Sequence, residues 1–91
     1  MLTVYKYPVT FDDYFEVELP VGSKPLKADL QGNNVVLWAL VDTEARREER
    51  YFRLAGTGHN IGIETENLKY INTFETNCGT FVWHVFEILR K

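Results

Sequence analysis

The sequence predicts a mostly β fold: one small antiparallel domain over residues 1–91, barrel- or sandwich-like, with about seven short strands and at most one short helix. An α+β arrangement is the alternative. Three observations carry this prediction. Apolar and polar residues alternate with a period of two over much of the chain. Gly, Pro and Asn cluster between the alternating stretches, and β-branched and aromatic residues crowd the last strand.

In chain order, LTVYKYP (2–8) opens the set. In YFEVEL (14–19), Phe15, Val17 and Leu19 share one face, and Tyr14, Glu16 and Glu18 the other. PVGSKP (20–25) has two prolines and a glycine, so it reads as a connection outside any helix or strand. LKADLQ (26–31) alternates again, with Leu26, Ala28 and Leu30 inward, and QGNN (31–34) reads as a hairpin turn. VVLWALV (35–41) is apolar on both faces, the pattern of a central strand covered on two sides. DTEARREERYF holds good helix formers, with Asp42 or Thr43 as a cap, but has no apolar stripe before Tyr51; a solvated hairpin loop near 43–48 is the preferred reading. RYFRLAG (50–56) alternates, and NIGIETEN has room for one helical turn. LKYINTFE (68–75), a turn at TNCG (76–79) and TFVWHVFEIL (80–89), a second central strand, complete the pattern.

Composition narrows the function classes. With 45% hydrophobic and 14% aromatic residues, the chain is built to pack a dense core or to present an apolar face. A net charge of −3 argues against a binder of double-stranded nucleic acid. Cys78 is the lone cysteine, so no internal disulfide forms, which fits a reducing cytoplasm. The start of the chain lacks the basic-then-apolar pattern of a secretory signal. The longest apolar run is far short of the roughly 20 residues that span a bilayer. A soluble cytoplasmic protein with no membrane partner is the expectation.

The glycine-dense stretch RLAGTGHNIG (53–62) has two readings. Gly56, Gly58 and Gly62 miss the spacing of a dinucleotide loop, and His59-Asn60 stand where a P-loop needs Lys and a hydroxyl. The loop is then a strand-ending turn, or a backbone nest in which Gly56, Thr57, Gly58 and His59, with Arg53 and Tyr51, bind an anionic ligand. His59, His84 and Cys78 lack the paired spacing of a zinc site, so neither a metal nor another cofactor is expected, and no catalytic set is evident. The enzyme alternative is a nucleotide-degrading site with His59 or His84 as general acid–base and Glu87 as its partner. Arg46, Arg47, Arg50 and Arg53, interleaved with Glu44, Glu48 and Glu49, read as a solvated, salt-bridged loop; a phosphate clamp aided by Tyr51 and Phe52 is the functional counterpart. Trp38, Trp83 and Phe86 are core or interface aromatics.

Four stretches, YKYP, LWALVDTE, RYFRLAGTGH and GTFVWHVFE, are spread in order over nearly the whole chain. In them the chain resembles a family of small uncharacterised proteins encoded by tailed bacteriophages and prophages. The matching positions are Trp38 to Asp42, Gly56 to His59 and His84 to Glu87. The resemblance carries no catalytic residues. It implies an accessory phage product acting in the host cytoplasm, where such proteins antagonise host defence by blocking an effector or sequestering a nucleotide signal. Together these readings lead to a non-enzymatic binding protein for a host protein or a small anionic, nucleotide-like ligand. It is expected to be a homo-oligomer, because short up-and-down strands leave edges to cover. A small nucleotide-degrading enzyme and a structural or regulatory phage component are the alternatives.

Overall fold

Seven strands form among the residues 1–90 described by a computed structural model: β1 (Leu2–Pro8), β2 (Tyr14–Pro20), β3 (Lys24–Gln31), β4 (Asn34–Asp42), β5 (Arg47–Gly56), β6 (Leu68–Thr76) and β7 (Phe81–Ile88). They make two antiparallel sheets, ordered β1-β4-β3 and β2-β5-β7-β6. The fold is mostly β, as the alternation predicts, and it is a sandwich. β4 and β7 are central strands of their sheets, and one 3₁₀ turn (Thr65–Asn67) falls inside NIGIETEN.

The alternating faces meet in the core. Val35, Leu37, Ala39 and Val41 of β4 pack with Phe15, Val17 and Leu19 of β2, Phe52 and Leu54 of β5, Phe74 of β6 and Val85 of β7. Phe15 and Phe52, opposite each other in register, stack with centroids 5.0 Å apart. On one side the sheets are stitched together. The Asn72 amide accepts from the Ala28 N–H at 2.8 Å and donates to the Ala28 carbonyl at 2.8 Å, so a β6 side chain stands in for a strand beside β3. A register shift between Tyr70 and Asn72 accompanies this contact.

Four expectations need correction. Residues 43–46 do not close a hairpin, because β4 and β5 belong to different sheets. They form a corner between the layers, tied by Glu44 N–H to Asp42 Oδ1 (3.0 Å) and Val21 N–H to the Arg46 carbonyl (2.7 Å). PVGSKP is not wholly a connection: Pro20 ends β2, and Lys24 and Pro25 begin β3. Both strands are sheet edges, where a missing N–H is tolerated, and Pro25 lies at a register shift. That shift reverses the local phase, so Leu26 is exposed rather than inward. The outer face of β4 is also less covered than expected, since Trp38 and Leu40 are only half-buried.

β5 and β6 both pair antiparallel with β7, one on each side, so they run parallel to each other. The chain between them, residues 57–67, must therefore travel from one end of the sheet to the other across β7. GTGH starts this crossover.

Candidate functional site

Consecutive side chains of β5 point to opposite faces of its sheet. Phe52 and Leu54 enter the core, and Arg50 lies on their side. Tyr51, Arg53 and Ala55 point outward with Tyr14 and Glu16 of β2 and His84, Phe86 and Ile88 of β7. Of the residues singled out from the sequence, the outer face of the four-stranded sheet carries Tyr51, Arg53, His84 and Phe86.

GTGH is a turn held by its own atoms. The Gly56 carbonyl accepts from the His59 N–H at 3.0 Å, and Gly58 sits at the third position with φ +87°, where a type II turn requires glycine. His59 folds back so that Nδ1 accepts from the Gly56 N–H at 3.2 Å. A Cβ on Gly56 would lie 2.8 Å from the His59 ring, so this glycine is needed for close approach. The Thr57 N–H is bonded to the Val82 carbonyl at 3.2 Å. The N–H groups of Gly56, Thr57 and His59, which a nest would aim at an anion, are all committed inside the protein.

Arg53 holds the loop that follows. Its guanidinium donates to the carbonyls of Ile61 (3.3 Å), Asn60 (3.0 Å), Asp13 (3.1 Å) and Leu54 (2.6 Å), and lies 5.0 Å from the Tyr14 ring centroid. Arg53 is 5% exposed. The arginine cluster is therefore not a solvated loop throughout. Arg46 and Arg47 are exposed, whereas Arg50 and Arg53 are strand residues on opposite faces, the first half-buried and the second buried.

On the other face, the Arg50 Nε donates to Glu87 Oε2, its Nη2 to Glu87 Oε1 at 2.9 Å and its Nη1 to the Ser23 carbonyl at 3.0 Å. The Glu87 hydrogen bond raises the Arg50 pKa above its ordinary value, outweighing the opposing effect of burial. Glu87, buried at the sheet's inner face, is the carboxylate read from sequence as the acid–base partner of His59 or His84.

His84 points to the outer face, opposite to Glu87, so the two do not form an acid–base pair. Its Nε2 meets Thr57 Oγ1 at 2.8 Å and its Nδ1 meets Thr73 Oγ1 at 3.0 Å; Thr73 in turn bonds the Tyr70 hydroxyl at 2.8 Å. His59 is elsewhere, edge-on to Trp83 with centroids 6.1 Å apart. Trp83 is half-buried at the rim of the sandwich beside Phe11, its indole N–H donating to Thr76 Oγ1 at 3.0 Å. Phe86 is half-buried on the outer face against Tyr70. Cys78 is exposed in the β6–β7 turn with φ +55°, and among the described residues no three His, Cys, Asp or Glu side chains converge as metal ligands.

The cavity on this face is a groove of about 650 Å³. Tyr14, Tyr51, Ile88 and Ile63 of the crossover line it with Phe15 and Phe52, and Thr10, Glu16 and Arg90 add polar groups. Of these, only Tyr51 is among the ligand-binding candidates read from sequence. Tyr14 and Glu16 were legible as the outward face of β2, but Ile63 and Ile88 join them only through the crossover and the strand order.

A family model described as "Domain of unknown function (DUF7352)" matches residues 1–90, and the chain belongs to that family. No curated protein and no solved structure matches it.

Proposed function

We propose that this member of the DUF7352 family is a non-enzymatic binding protein, a phage accessory product that engages a host protein in the cytoplasm of the infected cell. The observation that carries this reading is the groove, whose aromatic and aliphatic lining suits an anchor side chain from a protein partner. The other features favour a protein over a small anion. The N–H groups of Gly56, Thr57 and His59 and four Arg53 hydrogen bonds are directed inward, which leaves the loop few donors for a phosphate. A nucleotide-degrading centre fares less well, because Glu87 is held by Arg50 on the opposite face from His84. Blocking a host-defence effector is the biological role that the phage resemblance implies.

Ile63→Asp tests this reading, since it places a charge in the groove on a half-buried crossover residue. Affinity capture from infected cells with the parental chain should recover a host protein that the variant, melting like the parent, does not. Equal capture by both proteins would remove the groove from the mechanism. Conversion of a nucleotide in a panel incubated with the pure protein would replace binding with catalysis.

A further inference from the structure

Among the described residues, the two sheets present four edges, β1 and β3 on one and β2 and β6 on the other. An open edge carries unpaired N–H and C=O groups, and proteins blunt such edges with bulges, proline or charge. Three of these edges are blunted. β3 is interrupted at Pro25–Lys27, and the free N–H and C=O of Ala28 are taken by Asn72. β6 breaks register between Tyr70 and Asn72. β2 carries two like charges, Glu16 and Glu18.

β1 differs. Its seven residues pair with β4 without a break from Leu2↔Asp42 to Pro8↔Val36. Its proline lies at the last position, and Lys6 is its one charged side chain. Exposed apolar side chains gather here, with Leu2 68%, Val4 48% and Tyr5 46% exposed. Val4 is in register with Leu40, in the row next to Lys6 and Trp38, so an apolar strip of the outer sheet face ends at this edge.

We infer that β1 is the docking edge for a second copy of this chain, pairing antiparallel with the partner's β1 about a two-fold axis. Antiparallel pairing of a strand with itself is self-complementary, so one patch supplies both halves of the interface. Charge excludes one register. Centring on Val4 puts Leu2 opposite Lys6 and Thr3 opposite Tyr5, whereas centring on Lys6 would oppose the two lysines. The two three-stranded sheets then become one continuous six-stranded sheet, and the Val4–Leu40 strips of the two copies adjoin. β2 is not the interface, because its Glu16 and Glu18 would bring four carboxylates together.

The test is sedimentation over a wide concentration series, with hydrogen exchange on the same samples. The full chain should move from 10.6 kDa toward twice that mass, and exchange across Leu2–Pro8 should slow as it does. Val4→Lys, at an exposed position, should weaken association at least tenfold without lowering the melting temperature of the dilute protein. Glu18→Lys on β2 should leave association unchanged. A parental chain that stays at 10.6 kDa throughout, or a dimer that survives Val4→Lys and is altered by Glu18→Lys, overturns the assignment.

Discussion

Arg50 and Arg53 sit three residues apart on β5, point to opposite faces of the same sheet, and are held by different means, Arg50 half-buried and Arg53 buried. Arg50 is held by a carboxylate, with two hydrogen bonds to Glu87 on the neighbouring strand. Arg53 is held by backbone carbonyls from three separate stretches, at Asp13, Leu54 and Asn60–Ile61. The first device joins strands that already pair with each other; the second fastens a crossover that has no ladder of its own. A charge pair adds attraction where geometry is already set, whereas the planar fork of a guanidinium can organise irregular chain by reaching several acceptors at once. The candidate groove depends on the second device, because Ile63 lies two residues after Ile61, whose carbonyl Arg53 grips.

The largest expected effect comes from breaking the charge pair. Glu87→Ala leaves Arg50 buried with only the Ser23 carbonyl and, 3.8 Å away, Glu48. Removing one partner of a buried pair costs about 3–5 kcal/mol, and the lower end applies here because the Arg50 side chain keeps 18% of its exposure. Urea unfolding should therefore show a loss of about 3 kcal/mol, a large part of a small domain's stability. The double variant Arg50→Met/Glu87→Leu should recover most of that loss. An Glu87→Ala protein with the parental midpoint would show that Arg50 does not need its carboxylate, which removes the distinction between the two arginines.

A smaller and more local loss is expected at Arg53. Arg53→Lys keeps the charge but not the fork, so most of the four carbonyls lose their donor, at a cost of about 2 kcal/mol after rehydration of the loop. Hydrogen exchange should quicken at the Gly56 and His59 amides, while β7 amides keep their parental rates. Full protection in the lysine variant would mean that charge alone holds the crossover, which would make the two devices one.

This contrast also marks how far the sequence can be read. The alternation in YFEVEL is enough to place β2 and its buried face, since every second residue enters one core. The same logic fails at LKADLQ, because the register shift after Pro25 turns Leu26 outward and alternation assumes an unbroken pleat. The corner at 43–46 looks like a hairpin because a turn's residues do not state which sheet the next strand will join. GTGH was legible as a turn from its glycines, but the reason for Gly56 was not, since it lies in how His59 folds back. Arg53 was legible as a cation near that loop. Its burial was not, because no local pattern brings Asp13 beside Asn60.

The smallest expected effect separates the Arg50 clamp from a phenol on β1, Tyr7. Glu87 holds the Arg50 pKa above its ordinary value, so this clamp keeps its charge as pH climbs past 10.0. Tyr7, half-buried against the core on β1, responds earlier. Burial raises its phenol pKa above the ordinary 10.0, and the Arg47 charge offsets only part of that. A folded-state pKa above the unfolded one means that the unfolded chain ionises first. The stabilisation is thus complete below pH 10.0 and is lost as pH rises through the higher folded value. Unfolding free energies measured between pH 8 and 12 should decline modestly at the alkaline end, on the order of the loss set by one partly buried phenol. Tyr7→Phe should flatten the decline, and Arg47→Gln, which removes the offsetting charge, should steepen it. Arg50→Met/Glu87→Leu should retain the parental slope. If the slope instead vanishes in that double variant and survives in Tyr7→Phe, alkali acts through the clamp, and the carboxylate device is the more fragile of the two.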